Sequence, residues 1–436
     1  MQQHVESLER RTLLSGWTTV DQPSGGGYAD IASDTAGNVY AVTYEGVVRE
    51  KAAGSTTWNT RLDLATSTRH IAAAPSGALY IWTTDAAYST CKVLEVLPGQ
   101  TTAQVVDEVP IAFDGGSHGD LTVDAAGNLF VGLTDQVVTA FTGKGNKVTY
   151  TYQTRWVVRE RRAGETAFTT VDSVVSNTND PYTVGINDMT SIDSGASAGL
   201  YAVGVVGSNS GPYPYTYSSE HWVVRKSSNG GASWATVDDF YYSTANSTGY
   251  GSHALAVQGD AAGNVYVAGN AILQTATGTT RGKTTYTSTN HWIVKKSGNG
   301  GASWTKDVIQ VNVDDYRAGV ALDAAHNAYV ATNETYAGVN HSVIRSNAGG
   351  SWNVVDDYAN AVGEAMTADP SGNLYAAGSV YSAGTDYAFV RSPVMGAAAP
   401  LAGAATFSSS LTAGEAARAT DSFFDSIDRQ EEILLV

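Results

Sequence analysis

The chain has 436 residues, of which 25 are Lys or Arg and 42 are Asp or Glu, giving a formal net charge of −17. This acidity, with few lysines and no basic run, argues against a nucleic-acid partner. The single cysteine, Cys91, rules out an intrachain disulfide and a cysteine-ligated metal cluster. No apolar run approaches the ~18 residues that a membrane-spanning helix requires. The 46 glycines and 24 tyrosines predict a turn-rich β protein.

The N-terminal segment, residues 1–15, lacks the apolar core of an ordinary signal peptide. Its Leu-Glu-Arg-x-x-Leu-Leu pattern at residues 8–14 resembles a short motif that is frequent at the N-terminus of large exported proteins of planctomycete-type bacteria. The resemblance implies export, and together with the Lys-poor composition it predicts an extracellular or cell-surface location. The alternative is a single helical turn that leads into the first strand.

A repeated unit predicts the fold. In each copy an Asp, two small residues and Gly-Asn precede a short apolar strand, as from Asp34 to Tyr40. Such a unit suits a tight hairpin, because Asp can accept backbone N–H groups and Gly adopts positive φ. The aromatic residue of the strand recurs at Tyr40, Tyr80, Phe130, Tyr201, Tyr266, Tyr329 and Tyr375. This recurrence predicts seven structural repeats.

A second unit follows the first and contains a Gly-rich turn and a Trp. Its clearest copies run from Ser227 to Trp234 and from Ser297 to Trp304. They resemble the Asp-box, or BNR, repeat, whose pattern is Ser-x-Asp-x-Gly-x-Thr/Ser-Trp, although Asn229 stands at the Asp position. The resemblance implies a β-propeller of the sialidase-like superfamily. We expect the two Trp residues to pack between blades.

We therefore predict an all-β protein, a seven-bladed β-propeller of four-stranded blades over residues 16–395. The segment Trp17–Asp21 matches the fourth strand at Trp234–Asp238, whereas the last blade lacks a fourth strand. We expect the N-terminal strand to close the ring, which leaves only short sheet edges exposed. Residues 396–411 read as a linker and residues 412–436 as an amphipathic helical tail, with a loosely ordered tail as the alternative.

Polar residues near the starts of the first strands form a candidate ligand-binding ring. In a propeller these innermost strands line the central channel. The predicted members of the ring are Asp30, His70, His118, Asp120, Asp188, His253, Arg317 and Glu364. Such imidazole and carboxylate groups could bind a divalent cation or polarise a substrate. The alternative is a water-filled channel in which these side chains are simply solvated.

A second candidate surface lies on the loops predicted between second and third strands, at Thr142–Thr154, Val206–Glu220 and Ile272–Asn290. These loops carry the tyrosines Tyr213, Tyr215, Tyr217 and Tyr286. Tyr among small polar residues makes an adaptable contact surface, and its ring can stack on a sugar. The alternative is that Tyr and Thr merely suit exposed strands.

Two further patterns have weaker functional implications. Asp-Asp-aromatic segments recur at Asp238, Asp314 and Asp356, and could ligate calcium, but none has the Ca²⁺-loop pattern. A His also recurs at the start of third strands, which argues for a role in packing the blades; its positions are His221, His291 and His341.

These observations favour a non-catalytic, monomeric propeller that binds a glycan or an extracellular protein, without a resident cofactor. Calcium or another divalent cation is the alternative to the last expectation. A sialidase-like exo-glycosidase is the alternative function, and the resemblance implies that it would need an arginine triad beside a Tyr–Glu pair. The arginines fall mostly in third strands, and only Arg317 and Arg69 are expected at the channel mouth. A scaffold that docks through its tail is the third reading.

Overall fold

The computed structural model describes residues 16–85, 90–110, 119–144, 147–176, 184–210, 217–244, 248–280, 283–311, 317–382 and 384–393. Within these ranges the regular structure is β-strand and no helix occurs. The N-terminal segment 1–15, the linker 396–411 and the tail 412–436 lie outside the described residues, so their predicted structures stay predictions.

The strands form antiparallel sheets in which neighbours in sequence pair with each other. The chain begins with β1 (Trp17–Asp21). The first sheet contains β2 (Tyr28–Ser33), β3 (Val39–Thr43), β4 (Val47–Lys51) and β5 (Trp58–Asp63). The second contains β6 (Ser67–Ala73), β7 (Leu79–Thr84), β8 (Thr90–Val96) and β9 (Gln104–Pro110). The third contains β10 (Gly119–Val123), β11 (Leu129–Lys144), β12 (Lys147–Arg161) and β13 (Thr169–Val175).

An eight-stranded sheet follows. One half contains β14 (Val184–Ile192), β15 (Gly199–Ser210), β16 (Tyr217–Ser227) and β17 (Ala235–Phe240). The other half contains β18 (Thr248–Gly259), β19 (Val265–Thr280), β20 (Lys283–Ser297) and β21 (Thr305–Val311). A single parallel pair, Glu220 with Gly251, joins β16 to β18. Each half therefore has the same strand order as the separate sheets.

The last sheets complete the pattern. One contains β22 (Ala318–Leu322), β23 (Ala328–Tyr336), β24 (Val339–Ser346) and β25 (Asn353–Ala359). The other contains β26 (Ala361–Ala368), β27 (Leu374–Ser382) and β28 (Thr385–Pro393), with β1 as its fourth strand. β1 pairs antiparallel with β28, Trp17 lying opposite Pro393. The expected closure by the N-terminal strand is confirmed.

The first strands of successive sheets contact one another in the order β2, β6, β10, β14, β18, β22 and β26, and β26 returns to contact β2. Sheets arranged around a central set of strands in this way form a β-propeller. The apolar core lies between neighbouring sheets: Tyr80 and Trp82 of β7, for example, pack with Leu121 of β10 and Val131 of β11. The ring is thus held mainly by contacts between the faces of adjacent blades.

The Asp-Gly-Asn unit makes the hairpin between first and second strands. Asp34 Oδ1 accepts the N–H groups of Ala36 and Asn38 at 3.0 and 2.9 Å. Gly37 has φ of +89°, which side chains rarely adopt. His326 stands at the Gly position in another copy and takes φ of +63°, and its Nδ1 lies 2.9 Å from a carboxylate oxygen of the neighbouring blade.

The second unit forms the hairpin between third and fourth strands, as predicted. Asn229 Oδ1 accepts the N–H of Ser233 at 2.9 Å. Trp304 Nε1 donates to the carbonyl of Val237 on β17 at 3.0 Å, and Trp234 packs against the preceding sheet. The expectation that these Trp residues pack between blades is confirmed.

The predicted long loops are wrong where the structure describes them. In the third sheet and in both halves of the eight-stranded sheet, the second and third strands continue as paired strands, so that Thr142 lies opposite Thr149 and Ile272 opposite Asn290. β15 and β16 likewise remain paired as far as Ser210 and Tyr217. The Thr, Tyr and Val residues in these segments favour a paired strand over an irregular loop. We refer to β11–β12, β15–β16, β19–β20, β23–β24 and β27–β28 as the projecting hairpins.

Candidate functional site

The central channel is a cavity of about 400 Å³ lined by the first strands. Its carboxylates are Asp30, Asp34, Asp120, Asp188, Asp193, Glu364 and Asp369. Among the described residues that line the cavity, His70 supplies the one imidazole and neither Lys nor Arg is present. The channel is therefore a strongly acidic space at the centre of the fold.

Three of the predicted ring residues meet in this channel. His70 Nδ1 lies 3.3 Å from Asp120 Oδ1 and 3.7 Å from Asp30 Oδ2. The ligand atoms of these side chains all lie within 4.8 Å of one another. Asp30, His70 and Asp120 come from β2, β6 and β10, so the cluster exists only because three successive blades converge.

Irregularities in the first strands help to aim these side chains. The register of pairing shifts beside Asp30, beside His70 and beside Asp188. Such bulges re-orient a side chain relative to the regular alternation of a strand.

The channel aspartates also link the first strands of adjacent blades. Asp30 accepts the N–H of Ile71 on β6 at 2.9 Å, and Asp188 accepts that of Val257 on β18 at 2.6 Å. Asp120 accepts the N–H of Met189 on β14 at 2.7 Å. These bonds fix the positions of the carboxylates around the channel.

Burial changes the acidity of two of these groups. Desolvation raises the pKa of Asp120 well above its usual range, and the nearby charges of Asp188 and Asp30 raise it further. Desolvation also raises the pKa of Asp188 to about 6, even though hydrogen bonds from Asp120, Val257 and Met189 oppose the shift. The channel therefore favours a bound proton or cation near neutral pH.

Of the other described members of the predicted ring, Asp188 and Glu364 line the same cavity, whereas His253 and Arg317 do not. His253 does not line the cavity, and its Nε2 lies 2.5 Å from Glu220 Oε2. Arg317 also lies outside the lining, where it donates to Glu364 Oε1 at 2.6 Å. Comparison of the repeats within the chain predicts the position of each residue along its strand but not the direction of its side chain. His118 lies outside the described residues.

Several cations of the third strands serve the blade interfaces. Four arginines and one lysine pair with an aspartate on the fourth strand of the preceding sheet; the pairs are Arg49–Asp21, Arg159–Asp107, Arg225–Asp172, Lys295–Asp238 and Arg391–Asp356. The first Asp of the Asp238 and Asp356 segments is thus an ion-pair partner of the next blade, while Asp314 lies outside the described residues. The sequence analysis did not predict these ion pairs, although a Val-Asp dipeptide marks the fourth strand in each case, as at Val237-Asp238.

The third-strand histidines contact the ends of fourth strands. His221 Nδ1 lies 2.6 Å from Asp239 Oδ1, and His341 Nδ1 lies 2.5 Å from Asp357 Oδ1. Burial lowers the pKa of His291, whose ring packs edge-on to Tyr242 at 5.5 Å. These contacts agree with the packing role expected from their periodicity.

The projecting hairpins carry the exposed aromatic side chains of the described chain. Tyr286 is 55% exposed, Tyr336 36% and Tyr381 58%. They lie on β20, β23 and β27, hairpins of three successive blades that project from the same face. The sequence analysis did not single out Tyr336 and Tyr381, although each lies close to a turn glycine, Gly338 or Gly384. Tyr213 and Tyr215 lie outside the described residues, and only the backbone of Tyr217 is described.

No protein-family model and no curated protein matches the chain. Solved structures resemble it in fold. The polysaccharide lyase Uly1 is 9% identical, with a TM-score of 0.47 over 85% of this chain and 90% of that one. The WD40 β-propeller domain of Doa1 is 10% identical, with a TM-score of 0.45 over 86% and 97%. YCF48 bound to a D1 peptide is 10% identical, with a TM-score of 0.42 over 87% and 97%.

The names of these structures include a lyase, a WD40 domain and a peptide-bound protein. A β-propeller fold does not by itself separate binding from catalysis. Among the described residues, no helix is long and apolar enough to span a membrane.

Proposed function

We propose that the chain is a seven-bladed, non-catalytic β-propeller that acts at the cell surface or outside the cell and binds a glycan or an extracellular protein on its projecting hairpins. In this proposal each half of the eight-stranded sheet is one blade. The observation that carries the proposal is the set of exposed tyrosines Tyr286, Tyr336 and Tyr381 on hairpins of one face.

The chemistry of these hairpins suits a glycan. Tyr286 stands among hydroxyl groups, with Thr284 and Ser288 two residues away on the same face of β20. An aromatic ring can stack on the apolar face of a sugar, while neighbouring hydroxyls exchange hydrogen bonds with its OH groups. The rigid strands beneath the hairpins hold these groups without a large ordering cost on binding. A protein ligand would use the same tyrosines as contact anchors.

The blade-interface ion pairs support binding over sialidase-like hydrolysis. A sialidase-like site would need three arginines turned toward one pocket, whereas Arg49, Arg225 and Arg391 are each held by a fourth-strand aspartate.

An extracellular location is supported by the Lys-poor, Tyr-rich composition and by the N-terminal resemblance. Fractionation of the source cells, with detection of the chain in the exported or surface fraction, tests that location.

The test is a glycan-array screen of the full chain and of the triple variant Tyr286→Ala/Tyr336→Ala/Tyr381→Ala. We expect selective binding by the natural chain and its loss in the variant, with unchanged far-ultraviolet circular dichroism. Val354→Ala, which removes an exposed apolar side chain from the outer strand β25, is the matched control and should bind normally.

The possible outcomes distinguish glycan binding, protein binding and catalysis. Undiminished binding by the triple variant would contradict the hairpin site. An absence of glycan binding would exclude the glycan ligand and direct the same variants to capture of extracellular proteins. Cleavage of an array sugar would overturn the non-catalytic assignment.

A further inference from the structure

We propose that Asp30, His70 and Asp120 bind one divalent transition-metal ion in the central channel. This site is separate from the projecting hairpins and goes beyond the function proposed for them. The inference rests on the geometry of the three side chains, on the charge of the channel, and on the presence of an imidazole among carboxylates.

The geometry suits a shared ion. Two ligand atoms bound at about 2.1 Å with a tetrahedral angle between them lie roughly 3.4 Å apart. His70 Nδ1 is 3.3 Å from Asp120 Oδ1 and 3.7 Å from Asp30 Oδ2. Both distances from the imidazole are close to this value, and all three donor atoms lie within 4.8 Å of one another, so that side-chain rotations would complete the site.

The negative charge of the channel favours a bound cation. Seven carboxylates line the cavity and the described lining contains neither Lys nor Arg. Glu364 is paired with Arg317, and Asp34 and Asp369 hold the tight turns. Asp30, Asp120 and Asp188 instead face the cavity near one another with His70. A metal ion would neutralise part of this charge at the place where the carboxylates are closest.

Linking the strands does not by itself account for the cluster. Asp30 and Asp120 each accept a backbone N–H from a neighbouring blade, which holds the carboxylates in place. Each carboxylate oxygen has a second lone pair that can bind a metal. His70 has no place in that backbone pattern, yet its ring is brought between the two carboxylates and is packed edge-on against Trp82 at 6.1 Å. A bonded carboxylate and a packed imidazole are ligands with fixed orientation.

The donor set selects the class of metal. Calcium takes six to eight oxygen ligands, whereas one imidazole nitrogen with two or three carboxylate oxygens suits zinc(II) or manganese(II). Asp188 and Asp120 both accept the N–H of Met189, so Asp188 is placed to hold Asp120 rather than to be the first ligand. Water would supply the remaining ligands in the open channel.

The test is calorimetric titration of the full chain, treated with EDTA and dialysed, with zinc(II), manganese(II) and calcium(II) in turn. We expect one site per chain for zinc or manganese and weaker binding of calcium. His70→Ala and Asp120→Asn should each weaken the binding by about tenfold or more, since each removes a direct ligand. His221→Ala is the matched control, because His221 is a half-exposed histidine paired with Asp239 outside the channel.

Two further measurements keep the result interpretable. Cobalt(II) added to the stripped chain should give visible absorption bands of a nitrogen- and oxygen-ligated ion, and these bands should be absent in His70→Ala. Circular dichroism without metal checks that each variant is folded, and Asp120→Asn keeps an oxygen for the Met189 N–H if His70→Ala does not fold.

The proposal is overturned if the stripped chain binds neither zinc nor manganese more tightly than about 100 μM. It is also overturned if folded His70→Ala or Asp120→Asn retains the stoichiometry and affinity of the natural chain. Loss of binding in His221→Ala instead would place the metal elsewhere.

Discussion

The aspartates between neighbouring blades and the aspartates in the central channel meet opposite electrostatic surroundings. Between blades, a fourth-strand Asp such as Asp356 faces a third-strand cation such as Arg391, at 2.6 Å. In the channel, Asp120 faces Asp188, Asp30 and the imidazole of His70. The first set neutralises itself within the protein. The second set leaves negative charge unbalanced, which is stable only with protons or a bound cation.

This difference indicates which charged residues of a repeat protein are available for function. A charge that recurs with its partner in successive blades belongs to the scaffold. A charge that occurs only in some blades and has no opposite charge to balance it is available to a ligand. The following changes test that division, beginning with the largest expected effect.

Removing a cation from the blade interface should cost the most. Arg391 and Asp356 have side chains only 10% and 1% exposed, and Arg391 also donates to the Trp17 carbonyl at the ring closure. Arg391→Leu leaves the buried carboxylate of Asp356 without its cation, so we expect a loss of about 3–5 kcal/mol in the free energy of unfolding by urea. Lys92→Leu, which breaks an ion pair with Glu108 whose side chains are 37% and 51% exposed, should change it by less than about 1 kcal/mol. Equal effects would contradict the scaffold role.

Removing both members of an interface pair should cost much less than removing one. Lys295 Nζ lies 2.6 and 2.5 Å from the two oxygens of Asp238, and burial lowers the pKa of Lys295 and raises that of Asp238. We expect Lys295→Met to destabilise the fold by about 3 kcal/mol and Lys295→Met/Asp238→Leu to recover most of that loss. The measurement is the urea midpoint and slope of each variant. A double variant that is as unstable as the single one would show that the pair itself stabilises the ring.

The channel carboxylates should give a pH dependence of the opposite sign from an ordinary ion-paired carboxylate. Because the pKa of Asp188 is raised to about 6 and that of Asp120 is also raised, the folded chain binds protons at a higher pH than the unfolded chain. Stability in EDTA should therefore rise as the pH falls from about 7.5 to 5. We expect Asp120→Asn to increase stability at pH 7.5 by about 1–2 kcal/mol and to flatten this dependence.

The control for that experiment is Asp193→Asn, which removes an exposed carboxylate from the same channel. Thermal unfolding from pH 5 to 8 should show the natural dependence in this control. A natural chain that becomes less stable on acidification over this range, or an Asp120→Asn variant without effect, would contradict the raised pKa values of the channel aspartates. Added zinc should stabilise the natural chain and not the Asp120→Asn variant.

The smallest effect is expected where a carboxylate is introduced on an exposed turn. Asn229→Asp places a carboxylate in the turn and keeps the oxygen that accepts the Ser233 N–H. Water solvates the new charge, so the free energy of unfolding should change by less than about 0.5 kcal/mol. Urea unfolding beside Asn229→Ala, which removes the turn's hydrogen bonds and should cost about 1 kcal/mol, provides the comparison. A larger loss in the Asp variant would mean that unpaired charge is costly even on the surface.

The sequence predicted the local parts of this architecture. Asp34, Gly37 and Asn38 specify a hairpin through their own side chains and backbone, and the same chemistry recurs along the chain. The copies of that unit, and the match of Trp17–Asp21 to a fourth strand, also indicated the propeller and the pairing of the chain ends. These features depend on residues that are close in sequence or that repeat, so they can be read without coordinates.

Only the tertiary structure decided which polar residues act together. The same alignment that brought Asp30, His70 and Asp120 to one ring also included His253 and Arg317, whose side chains take other partners. Bulges in the first strands and hydrogen bonds between blades set those directions, and both depend on contacts between strands far apart in sequence. The projecting hairpins were likewise mistaken for loops, because pairing with a partner strand, and not composition alone, determines whether a Thr- and Tyr-rich segment is extended.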